Sequence, residues 1–194
     1  MKKIILASQS PRRKQLLEWA EVDFEVIVKE TDESFPASFP VEDVAIHIAR
    51  QKAIAVKQEI NHKAIILAAD TLVVLNAKIM GKPSDREEAI FFLKELSGKK
   101  HKVITGVCIL NNDHEIVFAD TTEVEFNKLT REQIIFYVDK YKPFDKAGAY
   151  AIQEWIGVVG IKSVHGDFYN VMGLPVSKVM RELSNLENPG KTTK

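Results

Sequence analysis

Residues 4–17 read IILASQSPRRKQLL. Ile4–Ala7 is an apolar run suited to a short buried strand, and Ser8-Gln9-Ser10 turns the chain at its end. Ser10 is a good N-cap and Pro11 the favoured first helical residue, so a helix is expected from Pro11 to about Trp19, with Leu16 and Leu17 on its apolar face. A buried strand running straight into a helix is the unit of an α/β fold. Arg12, Arg13 and Lys14 nevertheless crowd three cations into the first turn, at the positive end of the helix dipole, where each costs about 0.3–1 kcal/mol. Helix N-termini offer N–H groups to anions, and guanidinium forks match phosphate oxygens. A bound phosphate would therefore reverse the cost. The alternative is a solvated basic turn with an arginine paired to a carboxylate. No glycine-rich Walker sequence is present.

Outward from this stretch, Phe24–Val28 reads as a second strand. Glu30–Pro40 holds two prolines, two phenylalanines and three acids, and is expected to be an irregular, mobile loop. Val41–Ile60 has helical spacing. Lys63–Leu75 reads as a long strand interrupted at Asp70-Thr71, with a short strand at Lys78–Met80. Ser84 or Asp85 caps a helix through Leu96, stopped by Gly98. His101–Leu110 and Glu115–Phe126 flank Asn111-Asn112-Asp113 as a hairpin. Thr130 caps a helix to about Tyr141, a strand is expected at Gly157–Val164, and a last helix at Pro175–Leu186. The pattern predicts an α/β fold, a mixed sheet with flanking helices, as a single domain over 1–187 with a flexible polar tail at 188–194.

The 194 residues are 45% hydrophobic and 28% charged, as in globular proteins, and 27 basic residues balance 27 acidic ones. That balance argues against nucleic acid or an anionic membrane as partner. Four apolar residues after Lys2-Lys3 are too few for a secretory signal, so a cytoplasmic location is expected. Cys108, the only cysteine, sits in an apolar strand and reads as a core thiol rather than a nucleophile. The five histidines show no metal-ligand spacing.

Asp70 follows the apolar run Ala64–Ala69, where an ionised carboxylate must pair, bind metal or open to a cleft; a strand-end cap is the alternative. Glu30, Asp32 and Glu33 supply further oxygen ligands suited to Mg²⁺ or Mn²⁺. Lys52 and Lys82, each taken alone, read as ordinary solvated lysines.

ILASQSPRRKQLL, AADT (68–71), GKP (81–83), DKAGAYAIQ (145–153) and GDFYNVMGLP (166–175), in that order, resemble the Maf family of nucleoside-triphosphate pyrophosphatases, over residues 4 to about 180. The resemblance implies a fold like that of inosine-triphosphate pyrophosphatases, with two lobes around a deep cleft. It implies hydrolysis of a nucleoside triphosphate to monophosphate and pyrophosphate, with a divalent cation (Mg²⁺ or Mn²⁺), in a homodimer. By position, Ser8, Arg12, Arg13, Lys52 and Lys82 match the phosphate cradle, Asp70 the catalytic carboxylate, and Glu33 with Asp70 the metal side. Arg12, Thr71 and Gln153 match base-selecting positions, and Asp70-Thr71 with Gln153 resembles the dTTP/UTP branch, which implies hydrolysis of dTTP and UTP and leaves open whether normal or modified pyrimidine triphosphates are the substrates that matter. Two departures stand out: Ala69 where glycine is common, and Glu154-Trp155 where small residues are usual. The rival expectations are a nucleotide-sensing regulator linked to septum formation, and a pyrophosphatase for another base such as 7-methyl-GTP.

Overall fold

The computed structural model describes residues 3–60, 63–112 and 114–187. In chain order the strands are β1 (Ile4–Leu6), β2 (Phe24–Val26), β3 (Ile65–Leu75), β4 (Lys78–Met80), β5 (Lys100–Asn111), β6 (His114–Phe126) and β7 (Ile161–His165). The helices are α1 (Pro11–Trp19), α2 (Val41–Glu59), α3 (Arg86–Leu96), α4 (Arg131–Tyr141), α5 (Trp155–Gly160), α6 (Phe168–Met172) and α7 (Val176–Glu187), with a short 3₁₀ turn at Ala147–Ala149. The strands hydrogen-bond in the order β2-β1-β3-β5-β6-β7, with β4 on β3, so the expected mixed α/β sheet is present. β1 pairs in parallel with both β2 and β3, while β4 on β3 and β7 on β6 are antiparallel. Among the described residues, no helix is long and apolar enough to cross a membrane.

The chain divides into two compact units, one holding the segments up to Asp70, Thr105–Asp120 and from Gly173 on, the other Thr71–Ile104 and Thr121–Met172. In the first unit, strand alternation and helical period converge on one core. Ile5, Ala7, Ala64, Ile66, Ala68, Cys108 and Leu110 recur at every second strand position and pack with Ala49, Ala53 and Val56 of α2. Asp70 continues the Ala64-Ile66-Ala68 series, so its side chain belongs to the face of β3 that α2 covers. Glu42 and Asp43 at the start of α2 and Lys57 near its end complement its dipole.

In the second unit, Asp85 caps α3 by accepting from the Glu88 N–H at 2.8 Å. Thr130 and Gln133 form a reciprocal capping box at the start of α4. His101, Phe126 and Tyr150 pack edge-to-face, with ring centroids 5.0–5.4 Å apart.

The structure corrects two expectations. β3 runs unbroken through Asp70-Thr71, because a half-buried, paired carboxylate does not interrupt the ladder. Residues 157–160 are helical, and the strand begins only at Ile161. The β-branched pair Val158-Val159 suggests a strand, yet Val158 is 84% exposed and lines no sheet face. Gly157 decides the turn: a β-carbon there would lie 1.7 Å from the Ile152 carbonyl oxygen. Phe168–Met172 forms a short helix; Asp167 starts it, accepting from the Tyr169 N–H at 2.7 Å. The tip residue Asp113 and the expected tail at 188–194 lie outside the described residues.

Candidate active site

The first unit gathers six of the nominated residues. β1 is wholly buried and delivers the chain to Ser8, whose side-chain oxygen accepts from the Ser10 N–H at 3.2 Å. Ser10 caps α1, accepting from the Arg13 N–H at 3.4 Å. The Arg13 side chain does not project into solvent. It is 8% exposed, and it donates from Nε to the Gly173 carbonyl at 2.7 Å and from Nη1 to Ser8 Oγ at 3.0 Å. Burial pulls its guanidinium down to about 10; Asp70 acts in the opposite direction, and Arg12 adds to the lowering. The basic turn is therefore only partly solvated: Arg13 is built into the unit, Arg12 beside it is half-buried, and Lys14 is exposed.

Lys52 on α2 reaches the other end of this cluster. Its Nζ lies 2.7 Å from Asp70 Oδ1 and 2.8 Å from Glu33 Oε1. Glu33 belongs to the loop expected to be mobile, but that loop has local order. The Asp32 carboxylate accepts from the Ser34 N–H at 2.9 Å and from its hydroxyl at 2.8 Å, which holds the Asp32 carboxyl below its usual range.

The other three nominated residues, Thr71, Lys82 and Gln153, lie in the second unit. Their segments meet at Gly148. Its N–H donates to the Gly81 carbonyl at 3.0 Å, next to Lys82. A β-carbon at Gly148 would lie 2.9 Å from Val73, two residues beyond Thr71 on the same face of β3, and its φ of +66° also favours glycine. Alternation along β3 points Thr71 away from the face that carries Asp70. Lys82 and Gln153 are exposed, and Thr71 is half-buried.

Three participants carried no assigned role in the sequence. The Gly173 carbonyl anchors Arg13 from 160 residues away, and only the GDFYNVMGLP motif marked its neighbourhood. Tyr137 and Glu154 flank the Gln153 segment, and the acid of Glu154-Trp155 was the visible signal. Among the described residues, no group of three or more His, Cys, Asp or Glu could hold a metal alone. Asp70 and Glu33 do converge on one ammonium, and two hard carboxylates are the donor chemistry that would suit a Mg²⁺-like ion.

The family model described as Maf-like protein matches residues 3–186. A protein of Parabacteroides distasonis named dTTP/UTP pyrophosphatase is 48% identical over 184 residues, 94% of this chain and 95% of that protein. One of the same name from Cytophaga hutchinsonii is 49% identical over 186 residues, 96% of this chain and 85% of that protein. Among solved structures, the Ham1 protein of Staphylococcus aureus aligns with a TM-score of 0.54 at 16% identity, covering 94% of this chain and all of that one, a likeness of fold. With five ordered motifs, an anion-suited strand–turn–helix and a family match across nearly its whole length, this chain belongs to the Maf-like family.

Proposed function

We propose that this chain hydrolyses dTTP and UTP, and pyrimidine triphosphates related to them, to the monophosphate and pyrophosphate. The observation that carries the reading is the Lys52 ammonium held between Asp70 and Glu33, in a unit that also sets Arg13 and Ser8 behind a helix N-terminus. The near-full-length likeness to proteins named dTTP/UTP pyrophosphatase supports the choice of base.

Cations must offset about four negative charges on the triphosphate. Ser8, Arg12, Arg13, Lys52 and Lys82 are the donors assigned to it. Lys52 has a second role. Without nucleotide it neutralises Asp70; a triphosphate competes for the same ammonium and leaves the carboxylate able to orient water and take its proton. Arg12 and Arg13 oppose the charge that grows on departing pyrophosphate. Asp70 and Glu33 are the ligands assigned to a divalent cation, which when bound supplies further neutralisation of the phosphates. Thr71, Gln153 and Arg12 are assigned to the base, and the active form is assigned as a homodimer.

A screen of nucleoside triphosphates with Mg²⁺ or Mn²⁺, reading monophosphate and pyrophosphate together, tests the reading. Equal yields of the two from dTTP and UTP are expected. Release of orthophosphate and a diphosphate instead would overturn it.

A further inference from the structure

Gln153 sits at the tip of a tight turn. The Glu154 N–H donates to the Ala151 carbonyl at 3.1 Å, so Ala151 and Glu154 are the ends and Ile152 and Gln153 the centre. Ile152 is buried and Gln153 exposed. Tyr137, fully buried on α4, touches both ends of this turn with one hydroxyl. It accepts from the Ala151 N–H at 3.2 Å and donates to the Glu154 carboxylate. The other oxygen of that carboxylate is 3.5 Å from Lys146 Nζ, a buried lysine that also pairs with Asp145 at 2.7 Å. Phe136, the preceding residue of α4, meets Trp155 edge-on with centroids 4.9 Å apart. α4 thus grips positions 151, 154 and 155 and leaves the Gln153 side chain outside the grip.

The chemistry of the base makes that grip consequential. Uracil and thymine present an N3–H donor beside an O4 acceptor; cytosine presents an acceptor beside an amine. A carboxamide carries one acceptor and one donor end, so an amide free to turn end for end satisfies either pattern. Discrimination depends on where the amide is presented as well as on which end faces the base, and fixing the turn fixes where the Gln153 side chain starts.

We propose that Tyr137 and Glu154 are positioning residues that fix Gln153 and thereby set the preference for uracil-type over cytosine-type bases. This rests on Gln153 being the base reader.

The experiment uses the full chain with Mg²⁺ and compares Q153A, Y137F, E154A and E154Q. It reads kcat and KM separately for UTP and CTP, and inhibition by inorganic tripolyphosphate. Y137F and E154A are expected to lower the UTP/CTP ratio of kcat/KM by about tenfold, the scale of one hydrogen bond, through KM. Tripolyphosphate inhibition stays within about twofold of wild type on the same scale. E154Q keeps an acceptor for the tyrosine hydroxyl and is expected to retain the ratio, so the E154A/E154Q pair decides the matter even where Y137F fails to fold. A normal ratio in E154A and in folded Y137F, with a reduced one in Q153A, overturns the brace and leaves the base reader standing. A normal ratio in Q153A overturns both. A fall in kcat alone, equal for both nucleotides, also overturns the proposal.

Discussion

Lys52 Nζ lies 2.7 Å from Asp70 Oδ1, and the two side chains are only 18% and 14% exposed. A pair this sheltered is hard to justify as a surface salt bridge, because the desolvation of two charges offsets much of their attraction. Asp70→Asn is expected to keep the fold and the binding of tripolyphosphate, and to lower kcat by roughly 10²–10⁴-fold, the range for loss of a positioned base. Near-normal turnover in that variant would remove Asp70 from the chemistry.

The two arginines test different things. Arg13→Ala removes donors to Gly173 and Ser8 inside the unit and is expected to cost about 1–3 kcal/mol of stability before any ligand is added. Arg12→Ala is therefore the cleaner probe of the phosphate role. Pyrophosphate is expected to raise the Tm of the wild-type protein, as a ligand of the folded state does. With Arg12→Ala the unliganded Tm is expected to change little and the ligand-induced rise to shrink. A full rise, measured by thermal scans with and without pyrophosphate, would return Arg12 to a purely structural place.

His101 provides a pH test independent of catalysis. Burial against Tyr150 and Phe126 lowers its imidazole from 6.5 to about 4. Because the folded value is the lower one, the unfolded chain binds more protons between these values, and stability rises with pH across the window. The contribution is complete above about pH 6.5 and lost progressively as pH falls toward 4, about 3 kcal/mol at most. Urea midpoints at pH 7 and pH 4.5 measure it. His101→Gln, which does not titrate, is expected to show a smaller fall between the two; an identical fall would show that carboxylates alone set the acid response.

For base choice, the expected order of kcat/KM places dTTP and UTP well ahead of CTP and ATP. A site that pairs with the uracil edge leaves polar groups unpaired against cytosine. Specificity constants across the four nucleotides, with 7-methyl-GTP as a fifth, check this. CTP or 7-methyl-GTP as the best substrate would contradict the assignment of Thr71 and Gln153.

Much of the scaffold was legible because its signals are local. Ser10-Pro11 announces α1 and Thr130 announces α4, each with a cap at the helix start. Asp70 stood out as a carboxylate at the end of an apolar strand. What could not be read locally is decided by distant partners. No feature of residues 8–17 says that Arg13 folds inward to a carbonyl at position 173. Residues 157–160 carry a β-branched pattern that the close approach of Gly157 to Ile152 overrides. The α6 helix was locally marked by Asp167, but five residues are too few to show a period.

The buried Cys108 has a use beyond packing. It lies wholly inside the core behind α2, and burial pushes its thiol up to about 12, so the folded chain offers almost no thiolate to a modifying reagent. Because no second cysteine competes, the rate of its alkylation reads a single event, the opening of the core that backs Lys52 and Asp70. The chain therefore carries its own chemical clock: a polyphosphate bound at that face would slow the labelling of one sulfur in proportion to how firmly it holds the unit shut.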